Sequence, residues 1–191
     1  MVMLAGPNGA GKSTLYELQI APSFKAPFIN ADIIQRDELR EPSPEASYSA
    51  AEIAAARRAE CMAKGQSFAT ETVFSHPSKI ELVQQARNRG FTVILFHVGV
   101  ELADLSVVRV MSRVEEGGHC VPEQKIRERY DRNGPIIREA MLLCDQGHVF
   151  DNSRLNTPPE RIIGFTRGRV SFVKPHLPQW ASAIYQADLL R

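Results

Sequence analysis

The chain has 191 residues, 43% of them hydrophobic, and its 23 basic and 22 acidic side chains leave a formal charge of +1. That length suits one buried α/β core and is short for two enzymatic domains, so a single domain over 1–191 is expected. The near-neutral balance offers no general attraction to nucleic acid or an anionic membrane, and no apolar run approaches the ~20 residues that span a bilayer.

The apolar stretch Val2-Met3-Leu4-Ala5 predicts a first strand, and it leads directly into Gly6-Pro7-Asn8-Gly9-Ala10-Gly11-Lys12-Ser13. This is the phosphate-loop pattern G-x-x-x-x-G-K-[ST] in the strand-to-helix setting that it needs. Its glycines let backbone N–H groups and a helix N-terminus close around an anion, which points to a nucleoside triphosphate, expected to be ATP. Lys12 is placed to reach the β- and γ-phosphates, and Ser13 to put a small oxygen ligand on the bridging Mg²⁺. Thr14 completes the nucleotide-binding stretch, turned away from the metal by the helical step.

After a first helix from Lys12 to about Gln19, Pro27 to Asn30 reads as a short second strand ending at Asn30-Ala31-Asp32. The carboxyl ends of parallel strands open onto one crevice, so Asp32 should face the γ-phosphate as a base for an acceptor hydroxyl, or as an N-cap of the next helix. A helix from Ala46 to Lys64 stops at Gly65, and Ser67 to Thr72 forms a third strand that brings Glu71 to the same rim. Glu71 can bind substrate hydroxyls, orient metal-bound water or cap the strand. Ser75 and His76 follow, as acceptor contacts or as caps of a helix running from Pro77 to Arg89.

Phe91 to Val98 is a continuous apolar run suited to a central strand, within which His97 reads as a core histidine. A helix over Leu102 to Glu116 breaks at Gly117-Gly118, and Pro122 starts another, interrupted at Asn133-Gly134-Pro135. The segment 113–138 is rich in arginine and reads as a lid. Phosphoryl transfer needs cations over the equatorial oxygens, for which Arg113, Arg127, Arg129 and Arg132 are the candidates, with His119 as a further donor. His148 to Asp151 is the fifth strand, and Asn152 and Ser153 after it are placed to meet the base or to form a turn. Arg161 to Thr166 and Arg169 to Val173 form a hairpin around Arg167-Gly168, and Trp180 lies on a closing helix. The alternation of strands and helices gives an α/β, three-layer P-loop NTPase fold with a mainly parallel five-stranded sheet, a helical lid and a C-terminal hairpin. Cys61, Cys120 and Cys144 are odd in number and unpaired in spacing, which fits a reducing, cytoplasmic setting.

In this order the pieces resemble the zeta toxin family of P-loop kinases. The resemblance is carried by Gly6 to Thr14, Phe28 to Asp32, Thr70-Glu71-Thr72, Arg113-Val114, Gly117 to Pro122, Arg129-Tyr130-Asp131-Arg132 and Phe150 to Ser153. It implies an ATP- and Mg²⁺-dependent kinase that phosphorylates a hydroxyl of a UDP-sugar such as UDP-N-acetylglucosamine, with an antitoxin protein as a possible partner. It also implies Asp32 as catalytic base, Glu71 on the sugar side and Arg113 as a phosphate clamp. Two departures stand out. His119 occupies the place of a lid arginine, and Val73 and Ser75 stand roughly where the best-known toxins have Thr and Arg contacts. A nucleotide-gated interaction module or ATPase is the competing class, although the chain lacks an L-S-G-G-Q signature and an apolar strand ending in Asp-Glu.

Overall fold

A computed structural model of the chain describes residues 1–115 and 121–190. Strand β1 (Val2–Ala5) is buried along its whole length, as a strand covered by helices on both faces must be. It lies between β3 (Ala69–Thr72) and β4 (Ile94–Gly99), with β2 (Phe28–Ile29) outside β3 and β5 (Gln146–Asp151) outside β4, all parallel. The order β2-β3-β1-β4-β5 reverses direction at β1, and ligands bind at the crevice that such a switch point opens. Pairing sets the rim: Leu4 is level with Glu71, Ala5 with Thr72 and His97, and Gly99 with Asp151.

The sheet has seven strands rather than the expected five. The hairpin of β6 (Glu160–Thr166) and β7 (Arg169–Val173) pairs antiparallel with β5 and extends the sheet. Buried Ile162, Ile163 and Phe165 give β6 the apolar character that an added strand needs, which the turn chemistry at Arg167-Gly168 alone did not reveal.

Helix α1 (Lys12–Leu15) runs on into a π-helical turn at Tyr16–Ile20, and α2 (Ala31–Ile33) into another at Ile34–Leu39. In α3 (Pro44–Ala63), Ser43 caps the N-terminus by accepting from the Ala46 N–H, Pro44 occupies the first turn, and Gly65 past the end has φ 63°. The next helices are α4 (Ser78–Asn88), α5 (Ala103–Glu115), α6 (Glu123–Leu143) and α7 (Gln179–Leu189). The expected interruption at 133–135 is absent, because α6 runs straight through Pro135. Tertiary packing overrides the local signal there. A Cβ on Gly134 would sit 2.6 Å from Ile184 Cδ1, so the glycine serves the close approach of α7, and buried Asn133 donates to the Val73 carbonyl at 3.3 Å.

His97 lies in the core as expected. It shares a 2.7 Å hydrogen bond with the Tyr185 hydroxyl on α7 and packs edge-on against Trp180. Burial, aided by the Lys12 charge, pushes its pKa from 6.5 down to about 3. The unfolded chain therefore takes up this proton near pH 6.5 and the folded chain only near pH 3, so stability present above the first value is lost as pH falls toward the second. His97→Gln, which keeps a hydrogen-bonding group without a titrating ring, is expected to flatten the fall of unfolding free energy across that interval in urea titrations. An unchanged slope would show that other groups govern acid sensitivity.

Candidate active site

The phosphate loop follows β1 with backbone shapes that a side chain would resist. Gly6, Gly9 and Gly11 have φ of 146°, 73° and 90°. A Cβ on Gly9 would come within 2.6 Å of the Ser106 carbonyl oxygen, so α5 packs directly on the loop. Gly6, Pro7 and Ala10 shape the loop from behind, whereas Asn8, Gly9, Gly11, Lys12, Ser13 and Thr14 line a cleft of about 710 Å³.

A carboxylate organises the floor of this cleft. Glu71 Oε2 accepts from Ser13 Oγ at 2.8 Å and from Asn30 Nδ2 at 3.0 Å, while Glu71 Oε1 lies 3.5 Å from Lys12 Nζ. The pair is nearly enclosed, with Lys12 5% and Glu71 10% exposed, and the ammonium also donates to the Pro7 carbonyl at 2.9 Å. Glu71 thus stands on the phosphate side of the floor, beside Ser13. A Ser hydroxyl next to a carboxylate at the first turn of a helix is an oxygen donor set suited to Mg²⁺.

Asp32 shares the cleft but does not cap α2, as the sequence had allowed. Asn30 is the cap: its Oδ1 accepts from the Asp32 N–H at 2.8 Å. The Asp32 carboxylate is therefore left exposed to the cleft, with no hydrogen-bond partner among the described residues. Ser75 and His76 also line the cleft, and His76 Nδ1 accepts from the Ser78 N–H at the start of α4 at 3.2 Å. Between Glu71 and Ser75 the buried Phe74 holds φ 60°, costly for a side chain of that size, with its N–H tied to Thr72 Oγ1 at 3.1 Å.

On the opposite side of β1, Asn152 clamps the loop. Its Nδ2 donates to the Ala10 carbonyl at 2.8 Å, and a Cβ on Gly11 would lie 2.3 Å from that nitrogen. Arg109 on α5 donates to the Asn152 carbonyl at 2.9 Å. Ser153 is committed to structure, since its hydroxyl donates to Asp151 Oδ1 at 2.5 Å and accepts from the Glu101 N–H at 2.8 Å. Trp180 Nε1 donates to that same Asp151 oxygen at 2.8 Å, so α7 steadies the turn carrying Asn152.

The arginines divide. Arg129 reaches Asn8 Oδ1 at 3.2 Å and lines the cleft. Arg132 is exposed and is not part of the cleft wall, and Arg127 pairs with Asp104 and Glu123 on the surface. Arg113 lies on α5, and Gly117, Gly118, His119 and Cys120 lie outside the described residues. Sequence reasoning overlooked Arg109, although it precedes Arg113 by one helical turn. It also missed Asn30 as the cap, and the face of α3 formed by Ser47, Ala51, Ala54 and Arg58, whose helical spacing was legible.

The zeta toxin family model matches residues 1–156. A protein of Haemophilus influenzae described as uncharacterized is 28% identical over 134 residues, covering 68% of this chain and 91% of that protein. Among solved structures, the AvrRxo1-ORF1:-ORF2 complex with ATP aligns at a TM-score of 0.68 and 15% identity, over 98% of this chain. This chain spans 62% of that one. The PezAT toxin-antitoxin system of Streptococcus pneumoniae aligns at a TM-score of 0.64 and 13% identity, over 100% of this chain and 79% of that one. These structural likenesses carry the fold.

Gly11→Ala tests the loop geometry. The added methyl must displace Asn152 and adopt an unfavourable φ, so nucleotide affinity by calorimetry is expected to fall ~10-fold or more, the equivalent of about 1.4 kcal/mol. Unaltered affinity would mean that nucleotide does not contact this turn.

Proposed function

The chain belongs to the zeta toxin family, and we propose that it is a kinase that uses ATP and Mg²⁺ to phosphorylate a hydroxyl of a small metabolite. A nucleotide sugar such as UDP-N-acetylglucosamine is the acceptor most in keeping with the family resemblance. The observation that carries this reading is the convergence of Lys12, Ser13, Glu71 and Asp32 on one cleft, with the Asp32 carboxylate alone free of a partner among the described residues.

Each residue then has a distinct task. The loop N–H groups and Lys12 hold the β- and γ-phosphates, and Lys12 needs only to slide from the Pro7 carbonyl and Glu71 to do so. Ser13 and Glu71 are the groups that would hold Mg²⁺, which supplies charge neutralisation along the triphosphate. Asp32 accepts the proton of the attacking hydroxyl. Arg129, poised on Asn8, supplies positive charge over the transferring group. Asn152 supports the nucleotide side of the loop, and Arg109 holds Asn152 in place. An antitoxin that blocks this cleft is the partner class that accompanies the reading. No helix among the described residues is long and apolar enough to cross a membrane.

The test follows label from γ-labelled ATP into a panel of UDP-sugars. Lys12→Ala is expected to abolish transfer. Asp32→Asn should lower it by about 10²–10⁴, the range of a general base, while ATP binding persists. Label released only as free phosphate, with or without acceptor, would support a nucleotide-gated ATPase instead. Normal turnover by Asp32→Asn would remove the base assignment.

A further inference from the structure

The cleft wall on the β2–β3 side carries two cations that the phosphate chemistry does not use. Arg58 projects from α3 and Lys79 from α4, and both line the cleft with Glu71, Ser75 and Asp32. Both are partly buried. The cost of burial lowers the pKa of each, and the nearby Arg58 charge lowers that of Lys79 further. Neither forms an ion pair among the described residues.

Arg57, more exposed, makes a two-pronged pair with Glu38 at 2.6 Å, and Lys64 pairs with Glu60 at 2.6 Å. Where water could solvate the charge, a carboxylate meets it; where water is partly excluded and two cations repel, none does. Glu71, the enclosed carboxylate of the same cleft, is already engaged with Ser13, Asn30 and Lys12. Like charges held together in a partly desolvated wall disfavour the empty protein, and a ligand that brings the countercharge relieves that cost. The planar guanidinium presents paired donors suited to phosphate oxygens, and the ammonium adds a point charge beside it.

We propose that Arg58 and Lys79 form an anion subsite that seats a phosphate or diphosphate group of the acceptor. The subsite lies across β1 from Asn152, so the acceptor enters from the β2–β3 side with its hydroxyl toward Asp32 and its anionic part against α3 and α4. It rests on the kinase reading and deepens it by naming the two residues that hold the anionic part of the acceptor.

The experiment uses the full chain with its nucleotide site filled by a non-hydrolysable ATP analogue and Mg²⁺, so that the phosphate loop is closed to other anions. Inorganic phosphate is titrated while the melting temperature is followed, with malonate as a carboxylate of similar charge. The wild-type chain is expected to show a saturable rise with phosphate that is absent in the Arg58→Met/Lys79→Met double variant and retained in Arg57→Met. Without phosphate, the double variant should melt at or above the wild-type temperature, because a repulsive pair has been removed. If the double variant fails to fold, Lys79→Gln carries the same comparison, with the saturable rise expected to weaken at least several-fold. Equal rises in wild type and variant would overturn the subsite, and an equal response to malonate would overturn its phosphate character. In the labelled-ATP assay, the variants should raise the acceptor KM at least tenfold and leave the KM for ATP unchanged. A loss of ATP binding would contradict the placement. The melting experiment needs no turnover, so it can fail while the kinase reading stands, and the reverse.

Discussion

The cleft depends on one carboxylate. Glu71 receives a hydrogen bond from Ser13, another from Asn30 and the charge of Lys12, and thereby ties the phosphate loop after β1, the tip of β2 and the tip of β3 to one another. A nearly enclosed Lys–Glu contact alone would not offset the desolvation of its two charges. Here the remaining lone pairs and protons are met by the Ser13 hydroxyl, the Asn30 amide and the Pro7 carbonyl, so the polar floor is satisfied. Asn30 does double duty, since the amide that reaches Glu71 belongs to the side chain that caps α2 and orients Asp32.

Around that floor the two sides of β1 have different chemistry. On the β4–β5 side, Asn152 buttresses the loop and Arg109 holds Asn152 from α5, and the chain Trp180–Asp151–Ser153–Glu101 fixes the turn that bears Asn152. Helix α7 supplies the first link, and it also meets α6 through Gly134 and through the Arg138–Asp188 pair at 2.5 Å. One C-terminal helix thus braces both the nucleotide turn and the helix that presents Arg129. On the β2–β3 side, α2, α3 and α4 leave an open wall with an unpartnered aspartate and two unpaired cations among the described residues, the character of a surface shaped for a ligand rather than for its own stability.

The sequence made the phosphate loop, the parallel core and the rim positions of Asp32 and Glu71 legible, because each follows from spacing within a strand-loop-helix unit. It was less informative where distant packing decides. Asn133-Gly134-Pro135 has the chemistry of a helix break, yet Gly134 receives Ile184 and Asn133 reaches Val73 across the fold. The hairpin signal around Gly168 was visible, but its union with β5 depends on a buried face that only the assembled sheet defines. Arg58 and Lys79 are separated by 21 positions, so no local pattern joins them. The arginine-rich segment misled in another way: an α-helix places Arg129 and Arg132 near each other, but only Arg129 turns into the cleft.

Transfer to an acceptor requires that a triphosphate on the Gly6–Ser13 loop end beside Asp32. The most direct measurement is a crystal structure of the chain with a non-hydrolysable ATP analogue, Mg²⁺ and a phosphate-bearing acceptor. The acceptor hydroxyl is expected within about 2.6–3.2 Å of an Asp32 carboxylate oxygen and in line with the γ-phosphorus. A γ-phosphate directed away from Asp32, with no room for a hydroxyl between them, would contradict it.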